Sequence, residues 1–115
     1  MTEPTIDRAT FEALQEAAGA DFVQELVGTF LTEAPIMLDD LRNALAANDA
    51  DRFRRAAHSL KSNSMTFGAL TLGAMARTLE LGGLGPVQQA SGKPIDDLAA
   101  EYARVAQALS GQKSA

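Results

Sequence analysis

The chain has 115 residues, of which 46% are hydrophobic and only 5% aromatic, and it contains no cysteine. This length suits a single domain with one modest core, and the abundance of alanine and leucine favours packed helices over sheets. The lack of cysteine excludes disulfides, thiolate metal sites and cysteine nucleophiles, and the net charge of −5 argues against a nucleic-acid-binding surface.

The N-terminal segment predicts a short amphipathic helix. Ile6, Phe11 and Leu14 are its apolar positions, in a segment from about Asp7 to Ala18, and Gly19 is suited to ending it. The opening residues include early acidic side chains and no apolar signal core, and no run of about 18 apolar residues follows. We therefore expect a cytoplasmic protein with no membrane span.

A long helix is predicted from residue 21 to residue 47. Asp21 is suited to be its N-cap, with Gln24 three residues later. One apolar stripe recurs at steps of three and four: Phe22, Leu26, Phe30, Ala34, Leu38, Leu41 and Leu45. Because the stripe continues past Pro35, this proline predicts a bend and not an end.

The next helix, predicted over residues 50–67 and capped by Asp49 or Asp51, carries the only histidine of the chain, His58. Its core-facing positions are Phe53, Ala56, Ala57, Leu60, Ser64 and Phe67. The opposite, polar face holds Asp51, Arg54, Arg55, Lys61, Ser62 and Met65. At 100° per residue His58 lies at the centre of that polar face, pointing away from the core.

Two more helices complete the pattern. A helix over residues 69–82 has the apolar positions Leu70, Leu72, Met75, Ala76 and Leu79. Residues 84–93 are predicted to form a loop, long for a bundle connection, with room for a helical turn inside it. Pro94 begins the last helix, which ends near residue 110. The fold class is all-α, an antiparallel four-helix bundle with a short additional N-terminal helix, in one domain over residues 1–115. We expect a monomer, although the apolar stripes also fit a dimer.

The side chains exclude most enzymatic chemistry. The chain has neither a GxxxxGK[ST] loop nor a GxGxxG motif for a nucleotide, and one histidine without cysteine cannot form a zinc site alone. We therefore expect no nucleotide site and no metal site formed by this chain alone. What remains is the exposed imidazole of His58 as a nucleophile toward phosphorus.

The neighbours of His58 suit this chemistry. Lys61, three residues later on the same face, is placed to pair with phosphoryl oxygens and to hold the free imidazole neutral. Arg54 and Arg55 extend the positive rim, and Ser62 is small enough for a partner to approach. The same residues also form an ordinary solvated helix face, so position alone leaves a purely structural bundle open.

The stretch His58–Ala69, HSLKSNSMTFGA, followed by Leu72, Leu79 and Glu80, resembles the HxLKGxSxxxGAxxL…LE signature of histidine-containing phosphotransfer (HPt) domains. The resemblance implies a phosphoryl carrier of two-component phosphorelays, with no ATP site, no cofactor and no catalytic centre of its own. Such a carrier takes the phosphoryl group from a receiver-domain aspartate or a kinase and passes it to another receiver. The implied partners are response-regulator receiver domains, which hold the Mg²⁺, and a hybrid sensor histidine kinase.

The resemblance also implies roles for individual residues. His58 accepts the phosphoryl group, Lys61 is its electrostatic partner, and Glu80 orients the imidazole, unless Glu80 is only a solvated acid at a helix end. Four residues are assigned to the docking surface: Ser62, Met65, Ser64 and Gly68. Of these, Ser64 and Gly68 match positions that shape the helix for packing and close docking.

One position departs from the family pattern. Ser62 stands where HPt domains usually have glycine. This departure keeps open a degenerate binding module that docks on a receiver or kinase without transferring phosphate. The cognate partners, the pathway and the direction of phosphate flow are not specified by the sequence.

Overall fold

The computed structural model describes residues 5–114, with side chains described through residue 110. Residues 1–4 and residue 115 lie outside this range. The prediction that the N-terminal segment is not a signal sequence falls partly on these undescribed residues. The described residues form six helices in chain order: α1 (Arg8–Ala18), α2 (Ala20–Ala47), α3 (Ala50–Thr66), α4 (Leu70–Gly82), α5 (Leu84–Gln89) and α6 (Lys93–Ser114).

Four of these helices form a closed bundle. Helix α2 packs against α3, α3 against α4, α4 against α6, and α6 back against α2. Short turns make α2, α3 and α4 successive antiparallel neighbours. Helix α1 covers α2 and α3 at one end, and α5 bridges α4 and α6. The predicted four-helix bundle with an additional N-terminal helix is confirmed.

The junction of α1 and α2 differs from the prediction for Asp21. Helix α1 begins after Asp7, whose carboxylate accepts a hydrogen bond from the Thr10 amide at 3.0 Å. Gly19 alone ends α1 and starts α2, with φ at +93° and its amide donating to the Gln15 carbonyl. Because this one-residue junction places Asp21 inside the first turn of α2, the prediction of Asp21 as N-cap is wrong.

The buried face of α2 is rotated at its start from the predicted one. Val23 and Val27 are buried there, whereas Phe22 is 52% exposed and Leu26 is half-buried. The two apolar series converge at Phe30, so periodicity alone does not choose between them. Beyond that point Ala34, Leu38 and Leu41 are buried as predicted, and α2 continues through Pro35.

Leu70 differs from its prediction, and the segment after α4 contains more helix than expected. Leu70 is 42% exposed because it lies about 180° around α4 from the buried Leu79. The segment over residues 84–93 contains the six-residue helix α5, a longer helical segment than the single turn expected within the predicted loop, and α5 inserts the buried Leu84 and Val87 between its neighbours. No helix within residues 5–114 is long and apolar enough to cross a membrane.

Candidate functional site

Helix α3 places His58 on the outside of the bundle. Asp49 caps this helix by accepting from the Arg52 amide at 3.1 Å. All six side chains predicted to face the core are buried: Phe53, Ala56, Ala57, Leu60, Ser64 and Phe67. The imidazole projects from the opposite side and is 57% exposed. The predicted orientation of His58 is therefore confirmed, and its ring is open to a macromolecular partner.

Glu80 of α4 holds one edge of the imidazole. The distance from His58 Nδ1 to Glu80 Oε2 is 2.7 Å, and the Glu80 side chain is only 17% exposed. A carboxylate only accepts hydrogen bonds, so Nδ1 carries the proton and donates to it. This contact selects the tautomer in which Nε2 keeps its lone pair and points away from Glu80.

The same carboxylate also contacts Lys61. Lys61 Nζ lies 2.9 Å from Glu80 Oε1. This oxygen is buried without a well-oriented hydrogen-bond donor, so its contact with the ammonium is an ion pair. Lys61 itself is 27% exposed. One carboxylate therefore links the imidazole and the ammonium group, with an oxygen for each.

These contacts set the charge of Glu80. The contact with the Lys61 ammonium is the largest cause that lowers the pKa of Glu80, and burial partly opposes it. The hydrogen bond from His58 lowers this pKa further. Glu80 is consequently ionised at neutral pH, and it is placed to stabilise positive charge that develops on the imidazole ring.

Arg54 and Arg55, which were predicted to extend the positive rim beside His58, both form ion pairs with Asp51. Their guanidinium groups contact the two oxygens of Asp51, at 2.8 Å and 3.3 Å respectively. All three side chains are more than half exposed, so each pair contributes only about 0–1 kcal/mol. Asp51 lies three and four residues before them on the helix and offsets much of their charge.

Two of the four predicted docking residues, Ser64 and Gly68, are buried, so they contribute to helix packing and present no side chain on the outer surface. Ser64 is fully buried, and its hydroxyl donates to the Leu60 carbonyl at 2.6 Å within the helix. Gly68 is buried beneath the start of α1, where its carbonyl accepts from the Asp7 amide at 2.7 Å. Ser62 and Met65 are exposed, as the prediction requires.

Gly73 is a residue of this region that the sequence interpretation missed. A Cβ atom at Gly73 would lie 2.5 Å from Met65 Sδ and 3.6 Å from the Lys61 carbonyl oxygen. Helices α3 and α4 therefore approach closely at this point, and two turns later α4 brings Glu80 to His58. A glycine inside an apolar helical pattern is the signal that indicates such a close approach.

The chain is similar to known proteins both in sequence and in structure. The family model described as the Hpt domain matches residues 25–109. The crystal structure of histidine-containing phosphotransfer protein B from Pseudomonas aeruginosa PAO1 is similar with a TM-score of 0.88 and 30% sequence identity, covering 98% of this chain and 97% of that chain. A comparison with curated proteins gives no significant match.

Proposed function

This chain belongs to the Hpt domain family, and we propose on that premise that it accepts a phosphoryl group on His58 and passes it to a receiver domain in a two-component phosphorelay. The observation that carries the proposal is the arrangement of His58. Its Nδ1 is held by Glu80 at 2.7 Å, and its ring is 57% exposed on the outer face of the bundle. An imidazole fixed in this way presents Nε2 to an incoming phosphorus atom.

In the proposed reaction, the Nε2 lone pair attacks the phosphorus of an aspartyl phosphate on the donor. The N–P bond forms as the acyl phosphate P–O bond breaks, and the electron pair of that bond leaves with the donor carboxylate. The proton on Nδ1 stays in place, so the phosphorylated ring is cationic and donates to the Glu80 carboxylate. Transfer to the next receiver is the same step in reverse, toward a different aspartate.

Lys61 has a supporting role in this proposal. Its ammonium lies one helical turn from His58 and shares the Glu80 carboxylate with the imidazole. The phosphoryl oxygens bring new negative charge next to that ammonium, and Coulomb attraction stabilises it there. Because Lys61 is 27% exposed, water screens this attraction, and Lys61 stabilises the phosphorylated histidine only modestly.

We further propose that the partners are response-regulator receiver domains and a hybrid sensor histidine kinase. The Mg²⁺ that the family resemblance implies is proposed to lie on the receiver. A binding module that docks without transfer is the second candidate. Ser62 supports it, because this exposed side chain adds a hydroxymethyl group one turn from His58.

The test is a transfer profile from the phosphorylated receiver domains of the same cell to the wild-type protein and to His58→Gln. We expect the wild-type protein to acquire acid-labile, base-stable phosphate and His58→Gln to acquire none. Because His58 is the only histidine of the chain, this variant removes every imidazole acceptor. Equal phosphate labelling of the wild-type protein and His58→Gln would contradict the proposal. Binding of the same receiver to both proteins without transfer to either would establish the second candidate instead.

A further inference from the structure

Helix α4 has an exposed face that no other part of the described structure covers. Four of its residues, Leu70, Ala74, Arg77 and Leu81, recur at steps of four, three and four, so they lie within about 60° of one another around the helix. Leu70 is 42% exposed and Leu81 is 72% exposed. We name these four residues the α4 stripe.

The α4 stripe borders a groove between α3 and α4. The groove has a volume of about 370 Å³ and is lined by Lys61, Met65, Leu70, Gly73, Ala74 and Arg77. Met65, which is 46% exposed, lies across Gly73 and forms its apolar floor with Leu70. One end of the groove reaches Lys61, whose ammonium contacts the carboxylate that holds His58. The groove is therefore continuous with the phosphotransfer site.

Apolar exposure is concentrated on this side of the molecule. Five large hydrophobic residues are exposed within the described part of the chain, and three of them, Met65, Leu70 and Leu81, belong to the groove or the stripe. Single exposed hydrophobic residues are ordinary on a protein surface, whereas a contiguous group is typical of a contact surface.

The charge at the centre of the stripe is unpaired. Among the lysine and arginine side chains that the structure describes, all pair with a carboxylate except Arg8 and Arg77. The chain is acidic overall, with 15 Asp and Glu against 10 Lys and Arg, yet none of the carboxylates that the structure describes forms an ion pair with Arg77. The face therefore offers a cation with apolar residues on both sides.

This pattern disfavours a second copy of the chain as the occupant. Two α4 helices packed antiparallel on the same stripe would centre between Met75 and Ala76, midway between Leu70 and Leu81. Each Arg77 would then lie only about 4.5 Å along the axis from its counterpart. The resulting repulsion has no carboxylate of the stripe to offset it. A complementary occupant instead carries a carboxylate flanked by apolar side chains.

We propose that the α4 stripe and its groove bind an amphipathic helix of the protein that exchanges phosphoryl groups with His58. A carboxylate of that helix pairs with Arg77. Apolar residues on one side of this carboxylate contact Met65 and Leu70, and apolar residues on its other side contact Leu81. Leu70 and Leu81 are about 16 Å apart along α4, which three turns of a partner helix span. The inference rests on the proposed phosphotransfer function, which supplies the partner.

The test measures the rate of phosphotransfer as a function of receiver concentration, with the receiver domain that transfers fastest to the wild-type protein. The variants are Arg77→Glu, Leu70→Ser and Leu81→Ser. The matched controls are Arg8→Glu, which reverses the other unpaired cation, and Phe22→Ser, which removes an exposed apolar residue elsewhere. All five changed side chains are exposed, and circular dichroism verifies that each variant is folded.

We expect Arg77→Glu to raise the receiver concentration for half-maximal transfer roughly tenfold without changing the maximal rate, and the two controls to stay within about twofold of the wild type. Leu70→Ser and Leu81→Ser should also raise the receiver concentration for half-maximal transfer. An Asp→Lys or Glu→Lys change on a helix of the receiver should restore transfer to Arg77→Glu.

Coincident transfer curves for the wild type, Arg77→Glu and Leu70→Ser would overturn the inference while leaving His58 as the acceptor. A wild-type dimer that Leu70→Ser dissociates, measured by sedimentation, would also overturn it, because a second copy would then occupy the stripe. If no receiver phosphorylates the wild-type protein, the proposed function and this inference fail together.

Discussion

Replacing Gly68 with alanine tests whether this residue holds the helices together instead of contacting a partner. Gly68 has φ at +82°, and a Cβ atom there would lie 2.8 Å from the Asp7 carbonyl oxygen and 3.0 Å from Thr10 Cβ. Both atoms belong to the start of α1. A backbone oxygen cannot swing aside as the end of a flexible side chain does, so the added methyl group displaces α1 or distorts the turn between α3 and α4.

Two terms contribute to the expected loss of stability in Gly68→Ala. An alanine in the left-handed backbone region costs about 1–2 kcal/mol, and overpacking against fixed atoms adds about 1–3 kcal/mol. Gly68→Ala should therefore lower the free energy of unfolding by about 2–5 kcal/mol, a large part of the 5–15 kcal/mol typical of a domain.

The chain offers a matched control in Gly92. Its φ is also +82°, but the nearest atom to its added Cβ would be Leu45 Cδ2 at an ordinary 3.6 Å. Gly92→Ala should thus cost only the conformational term of about 1–2 kcal/mol. Urea unfolding followed by far-ultraviolet circular dichroism compares both variants with the wild type. Equal losses for the two variants, or unchanged stability with weaker receiver binding in Gly68→Ala, would refute this reasoning and restore Gly68 as a docking residue.

Three further predictions concern the phosphotransfer site. Glu80→Gln should slow transfer to His58 by about tenfold, because an amide accepts from Nδ1 without stabilising the cationic ring; a rate equal to the wild type in a rapid-quench assay would contradict this role. The pKa of Glu80 is lowered from its ordinary 4.5, so its stabilising contribution is complete above that pH and is lost as the pH falls through the lowered value. The difference in unfolding free energy between the wild type and Glu80→Gln should therefore shrink as urea titrations are moved below pH 4.5, and a difference independent of pH would contradict the ion pair. Ser62→Gly should tighten receiver binding and lower the free energy of unfolding by about 0.5 kcal/mol, since glycine is the poorer helix former; unchanged binding by calorimetry would show that the hydroxymethyl group does not restrict docking.

The orientation of His58 could be predicted because it depends only on local order. Residues 50–67 form one regular helix, and the period of its apolar residues places His58 opposite Phe53 and Leu60. The family could be predicted for a similar reason. Its signature lies within a single helical hairpin of fixed spacing, and the Hpt domain match over residues 25–109 confirms that prediction.

Other features could not be predicted, because they depend on contacts between segments distant in the sequence. Gly68 is buried only because α1 returns across the turn between α3 and α4, where Asp7 donates to its carbonyl. The face of α2 near Phe22 is decided by tertiary packing, since two apolar series fit the same period. The sequence around Arg77 is that of an ordinary helix, and the lack of an ion-pair partner for Arg77 follows only from the tertiary contacts.

The measurement that tests the central claim most directly is the assignment of the phosphorylated nitrogen. The wild-type protein is labelled with ¹⁵N in its single histidine, phosphorylated by a receiver domain and observed through the ³¹P–¹⁵N coupling. Because Glu80 holds Nδ1 at 2.7 Å, we predict that the coupling appears at Nε2 of His58. A phosphoryl group on Nδ1, or on any residue other than His58, would contradict the account.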